Sequence, residues 1–264
     1  MARARAGSSA VVGAGVLRAL LKREMVDRHQ GTLIGWAWGL LQPLLQFAVL
    51  ALVFTKLLPG RASGNGLPYA AFLALGLWPW QLFANALLRG TTSLTENAAM
   101  IGKVAIPHSY FVLTRMAGTA IYDLAGYIVV LAILFALRLQ LTAAGLPIAM
   151  LAIVIVCAHA IAIGFILATV QVFLRDTAQI VAQLVSLGFF LTPVLYERGH
   201  LPDAMSHVLA WNPMAPPIES LRAALMGDPV VWPMLAYSTV VAAIALLFAR
   251  WMFLRAQPHV EDFL

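Results

Sequence analysis

Few side chains in this sequence are placed to do chemistry, and the most conspicuous is a single acid. Asp123 lies in a run at 110–137 whose only other charge is Arg115. A charge at the middle of a membrane helix costs roughly 2.5–3.5 kcal/mol on insertion scales, so such a group faces protein or water. Two functional readings follow, proton coupling and contact with a polar substrate. Two structural readings stand beside them: pairing with Arg115, two turns earlier, or protonation in place. His159 is alone in an apolar run and reads as a hydrogen-bonded interior histidine. His108, His200 and His207 show no metal-ligand spacing. The single Cys157 excludes an intrachain disulfide and reads as a packed thiol. No Gly-x-x-x-x-Gly-Lys-Ser/Thr pattern occurs, so the chain is not expected to hydrolyse ATP by itself. No nucleophile–base pair stands out either. The expectation is a non-catalytic chain with no cofactor or metal of its own.

Aromatic rings are the other candidates. Trp36, Trp38, Tyr69, Phe72, Trp78, Trp80, Phe83, Phe189, Phe190, Tyr196 and Trp211 gather in and around apolar runs. They fit an interfacial belt and packing, because amphipathic rings favour the headgroup layer. They fit a sugar path equally, since aromatic faces bind the C–H faces of pyranose rings. Composition does not separate the two.

The elements that must position these residues are membrane helices. The chain is 62% hydrophobic and 11% charged, with a mean hydropathy of +0.87. A soluble domain is about 45–50% apolar and about 25% charged. Six spans are expected, at about 34–57, 68–88, 110–137, 146–174, 178–196 and 230–249. The uncharged first run is long enough to cross a hydrocarbon core of about 30 Å. Before it, Val16, Leu17, Leu20, Leu21 and Met25 recur at helical spacing, with Arg18, Lys22, Arg23, Asp27 and Arg28 on the other face. That pattern predicts an amphipathic helix lying on an anionic membrane surface. Residues 1–30 thus form a cytoplasmic N-terminal segment, and 31–264 an all-α domain of six spans.

Between spans two and three, Ser93-Leu94-Thr95-Glu96 has the capping-box form and predicts a helix start near Ser93. Residues 197–229 carry five prolines and an amphipathic piece around Ile218–Met226, read as short surface or re-entrant helices. A short acidic tail, Glu261-Asp262, is expected after the last span. Of the 17 Lys and Arg, twelve fall on the N-terminal segment, the 89–115 region, the 175 corner and the C-terminal tail. Five fall on the other side. The excess places both termini in the cytoplasm. The net charge of +6 is scattered over segment ends, which speaks for topology and against nucleic acid.

An ordered set of motifs then carries a resemblance. Arg28-His29-Gln30-Gly31-Thr32-Leu33-Ile34-Gly35-Trp36-Ala37-Trp38-Gly39-Leu40-Leu41-Gln42-Pro43-Leu44 resembles the N-terminal signature of permease subunits of polysaccharide ABC exporters, which serve O-antigen, capsule or teichoic acid. Gly76-Leu77-Trp78-Pro79-Trp80-Gln81-Leu82-Phe83-Ala84-Asn85 resembles the family's second-span motif. Asn97 to Pro107 resembles the cytoplasmic segment after it. Phe173-Leu174-Arg175-Asp176, Leu191-Thr192-Pro193-Val194-Leu195-Tyr196 and Trp211-Asn212-Pro213-Met214 resemble the later motifs.

The resemblance implies a homodimer that binds two copies of a separate ABC ATPase, where ATP and Mg would be used. It implies ATPase docking through the 90–107 loop and the 175–177 corner, and so through Glu96, Asn97, Lys103, Arg175 and Asp176. The transported species would be a lipid-linked polysaccharide taken from the inner leaflet of the bacterial inner membrane. Its channel would run between protomers, lined partly by spans one and five, with Trp36, Trp38, Tyr69, Trp78, Trp80, Phe189, Phe190 and Tyr196 as candidates. The sequence departs from the family at His29 and Gln30, where a second basic residue is common. The charge for a lipid pyrophosphate then rests on Arg23 and Arg28. Two rivals remain: an ABC permease for a small drug or a lipid, and a proton-coupled carrier using Asp123.

Overall fold

The computed structural model describes residues 15–26, 38–53, 68–103, 106–139, 141–198, 209 and 211–264. Among them there is no strand. Among the described residues the α-helices run in this order: α1 (15–26), α2 (Trp38–Leu52), α3 (Tyr69–Thr91), the single turn α4 (Ala98–Ile101), α5 (His108–Ala136), α6 (Leu146–Phe173), α7 (Thr177–Leu191), α8 (Ala215–Met226) and α9 (Trp232–Phe263). Four helical stretches among the described residues are long and apolar enough to cross a membrane: α3, α5, α6 with its preceding turn, and α9.

The centre is α3. Leu73, Leu75, Leu77 and Trp78 are enclosed on it, and α2, α5, α6, α7 and α8 all pack against it. It is also the least apolar of the four long helices. Burial lets it carry amides: Gln81 Nε2 donates to Gln46 Oε1 of α2 at 2.8 Å. Asn85 Nδ2 lies 3.3 Å from each carboxylate oxygen of Asp123 on α5. In a membrane each such group needs a partner inside the protein. Pro79 sits within α3 and cannot donate to the carbonyl of Leu75. The Tyr127 hydroxyl of α5 donates to that carbonyl instead, at 3.4 Å.

Three expectations about the elements are corrected. The span at 178–196 is helical only to Leu191, where Thr192 turns extended and Pro193 follows. Its 15 residues rise about 22 Å, short of a hydrocarbon core. The last span does not stop at 249. α9 continues for 32 residues, about 48 Å, through Pro258 to Phe263, so the acidic tail is helical. The capping box at Ser93 does not form. Ser93 Oγ donates to the Gly90 carbonyl at 2.6 Å, and the Glu96 carboxylate turns to Arg115. The 28-residue α6 and the 29-residue α5 follow the expected runs closely.

Candidate functional site

Charged and polar contacts gather at the two ends of the bundle. At one end lie the C-terminus of α3, the N-terminus of α5, α1 and the ends of α6 and α9. Glu24 of α1 is the node. Its carboxylate meets Arg89 at 2.8 Å, in the last turn of α3, and Arg115 Nε at 3.2 Å, in the second turn of α5. Arg115 also pairs with Glu96. Tyr122 of α5 donates to the backbone carbonyl of Met25 at 3.2 Å. The basic face of α1 thus touches the bundle through its one acid. Arg115 is engaged here, so the carboxylate of Asp123 faces the Asn85 amide rather than Arg115.

The candidate docking residues divide. Lys103, Arg175 and Asp176 are exposed. Glu96 is partly exposed but held by Arg115, and Asn97 Nδ2 donates to the Ser93 carbonyl at 2.8 Å. The 175 corner is built by Gln171, which the sequence reading missed. Its Nε2 donates to the Arg175 carbonyl at 3.0 Å, and its Oε1 accepts from the Ala178 backbone N–H at 2.7 Å. Thr177 Oγ1 adds a bond to the Leu174 carbonyl at 2.7 Å, and the turn held by these two side chains presents Arg175 and Asp176 outward. The end of α9 spans both corners: Glu261 lies 3.2 Å from His108 Nε2, and Phe263 meets Phe173 edge-on at 5.0 Å.

At the other end, α8 is fixed by Arg222, which is 4% exposed. Its guanidinium lies over the Phe72 ring at 3.8 Å and donates to the carbonyls of Pro193 and Val194. Gly76 makes this possible, because a Cβ there would stand 1.8 Å from Arg222 Nη2. Burial pushes the Arg222 pKa down to about 10, which leaves it protonated at neutral pH. Glu219, one turn earlier, pairs with Arg198 at 3.1 Å. Burial pushes its carboxyl up, against the pull of Arg198 and Arg222. Tyr69 Oη donates to the Leu195 carbonyl at 2.7 Å, so the turn after α7 is tied to α3 as well. α8 ends at Gly227, whose φ of +79° lets the N–H groups of Gly227 and Asp228 close on the carbonyls of Ala224 and Ala223.

The aromatic candidates fall into different environments. Trp78, Trp80 and Tyr69 are buried inside this one chain, Trp78 against Phe47 and Trp80 against Phe83 and Phe189. Their rings are covered by the same chain. Phe189 and Tyr196 are half-buried, and Phe190 is exposed. Trp36 and Arg28 lie outside the described residues, and Trp38 is placed only as the first residue of α2. Arg23 lines the cavity beside Glu24. His159 is buried with Nδ1 3.0 Å from the Ile155 carbonyl, as an interior histidine should be. Among the described residues no group of His, Cys, Asp or Glu could hold a metal ion. Glu24, Gln171 and Arg222 are the residues that sequence reasoning passed over. An acid directly after Lys22 and Arg23 and a lone arginine in an apolar short helix were the available signals.

Comparison with known proteins bears on this arrangement. The family model described as ABC-2 type transporter matches residues 15–226. The chain is 29% identical over 215 residues to the O-antigen export system permease protein RfbA of Klebsiella pneumoniae, covering 80% of each chain. It is 28% identical over 242 residues to the protein of that name from Myxococcus xanthus, covering 89% of each. It is 25% identical over 255 residues to the capsule polysaccharide export inner-membrane protein CtrC of Neisseria meningitidis serogroup B, covering 93% of this chain and 92% of the relative. The family-model match includes Glu24, Arg89, Arg115, Gln171 and Arg222. The chain belongs to the ABC-2 type transporter family, membrane proteins whose work implies an ABC ATPase as partner.

Proposed function

We propose that this chain is the membrane subunit of an ATP-driven exporter that carries a lipid-linked polysaccharide of the O-antigen kind from the cytoplasm to the outer face of the bacterial inner membrane. The observation that carries this reading is the reach of the correspondence. Relatives named for O-antigen and capsule export match across 80–93% of the chain, rather than over one span.

The working unit is a homodimer with two ATPase copies. α7 supports this: Leu184, Leu187 and Phe190 are about 60% exposed on a helix that buries only Thr177 and Val181. α2 likewise exposes Leu45, Val49 and Leu52. A channel wall or a protomer interface would cover such faces. The end that holds Glu24, Lys103, Arg175 and Asp176 faces the cytoplasm and meets the ATPase, which binds ATP and Mg. Both termini lie on that side. Arg23 and Arg28 meet the lipid pyrophosphate, while Phe190 and Tyr196 stand along the sugar path. The chain itself performs no catalysis.

The test is a mild-detergent pull-down of the tagged chain, paired with surface labelling of the glycan in cells lacking it. The expected result is a stoichiometric ABC ATPase and loss of surface polysaccharide with a cytoplasmic backlog. Unchanged surface glycan overturns the substrate. A permease that runs without an ATPase and loses activity on Asp123→Asn overturns the class in favour of a proton-coupled carrier.

A further inference from the structure

Two cavities adjoin on the flank where α1 lies across α5, away from the exposed faces of α2 and α7. The first, of about 490 Å³, is polar, and Arg23, Glu24, Arg89, Asn97 and Arg115 line it. Among the described residues, three guanidiniums and the Glu24 carboxylate line it, and Glu96 pairs with Arg115. The Nε of Arg89 is buried with no hydrogen-bond partner among the described residues. The second cavity, of about 390 Å³, is almost wholly apolar. Leu17 and Leu21 of α1 roof it, Ala117, Ala120 and Leu124 of α5 form one wall, and Cys157 of α6 lies at its side. Thr114 lines both cavities.

The order of these residues along α5 sets a direction. Arg115 marks the polar chamber, and Leu124 lies nine residues on, about 14 Å deeper by helical rise. Arg89 sits in the last turn of α3 and Arg115 is the eighth residue of α5, and the cleft runs from there along α5 toward its middle. Ala117 and Ile121 are exposed along it, so it opens sideways. A cationic chamber continued by an apolar groove fits an amphiphile with an anionic head. Basic side chains at this depth attract anionic lipids, and phosphate takes charge-assisted hydrogen bonds from guanidinium.

We propose that this double cavity holds one anionic phospholipid of the inner leaflet, its phosphate beside Arg89 and one acyl chain in the cleft under α1. The cleft suits a single acyl chain and is far too small for a polyprenyl chain, which separates this lipid from the transported one. Seated there, the lipid would join α1 to α5 and α6 and reinforce the Glu24 contacts. The site shares Arg23 with the position proposed for the transported pyrophosphate, but its phosphate is set by Arg89 and its chain by the cleft.

Cys157, the only cysteine, is half-buried at the cleft and reports on occupancy. The permease–ATPase complex is placed in nanodiscs of phosphatidylcholine with or without phosphatidylglycerol, and Cys157 is labelled with a membrane-permeant maleimide. Phosphatidylglycerol is expected to slow labelling about tenfold, the effect of roughly one charge-assisted hydrogen bond. Native mass spectrometry of the unaltered complex should show one retained phosphatidylglycerol per permease chain. Ala120→Phe, which fills the cleft, should abolish both effects while the ATPase still co-purifies. Equal labelling in both lipids, with none retained, overturns the proposal. Equal protection by a polyprenyl phosphate overturns the phospholipid assignment, and protection by inorganic phosphate alone overturns the role of the cleft. None of these readouts involves transport, so failure here leaves the exporter reading untouched.

Discussion

Arginine secures both ends of this molecule, in opposite ways. At the α1 end, Arg89 and Arg115 meet carboxylates, and Arg89 remains about one-third exposed at 36%. At the α8 end, Arg222 is enclosed and meets an aromatic face and two backbone carbonyls. Ion pairs near water are screened by salt and contribute little each. An enclosed guanidinium is a fixed part of the packing, costly to remove because its acceptors are left buried and unpaired. The α1 end is therefore the adjustable one and the α8 end the rigid one.

The largest effect should come from Arg222. Arg222→Ala should destabilise the protein by about 3–5 kcal/mol, read as a lowered midpoint of thermal unfolding in detergent. Arg222→Lys should recover little, because an ammonium can neither stack on Phe72 nor reach both carbonyls. A loss below that of an average surface change would show the two ends to be alike.

Next, Glu24→Gln should free α1 without unfolding the bundle, at a cost of about 1–2 kcal/mol with allowance for solvent screening. Hydrogen exchange in 15–26 should speed up while α3 and α5 keep their protection. In the wild-type protein, 1 M salt should move exchange of α1 in the same direction and leave α8 unchanged. Equal sensitivity of both helices to salt would remove the distinction.

Lys103→Glu should reduce ATPase co-purification and export with membrane insertion intact, since Lys103 is exposed. Glu96→Gln should reduce export as well, with part of its effect passing through Arg115 and α1. Normal export in both variants would remove the docking role of this segment. The smallest change in stability, within about 0.5 kcal/mol, is expected for Arg175→Ala. Its effect should appear only in ATPase co-purification. A large stability loss there would mean that the Arg175 side chain itself holds the corner, beside Gln171 and Thr177.

Much of this was legible in the sequence. Apolar runs and their flanking charges placed α3, α5 and α6 to within a few residues, because hydrophobic length and helix breakers are local properties. Arg175 and Asp176 were legible as an exposed corner for the same reason. Glu24 was not, because its partners lie 65 and 91 residues away and nothing local marks them. The burial of Trp78 and Trp80 was equally hidden, since composition does not say which helix the others surround. The end of α7 was misread because an apolar stretch continues past Leu191 while the backbone turns, held by contacts to Arg222 and Tyr69 from distant helices. α9 outran its expected end because Glu261 and Phe263 find partners on α5 and α6.

The far end of α9 also orders the assembly of the protein in time. Residues 254–264 emerge from the ribosome after the other described helices, yet they brace His108 and Phe173, beside both corners at the α1 end. A nascent chain that has already threaded its earlier helices into the bilayer still lacks that brace. A chain cut before Glu261 should therefore hold the 108 and 175 corners less firmly than one that includes Phe263. A bulky fusion placed against Glu261 and Phe263 would mimic truncation, whereas one joined through a flexible spacer would not.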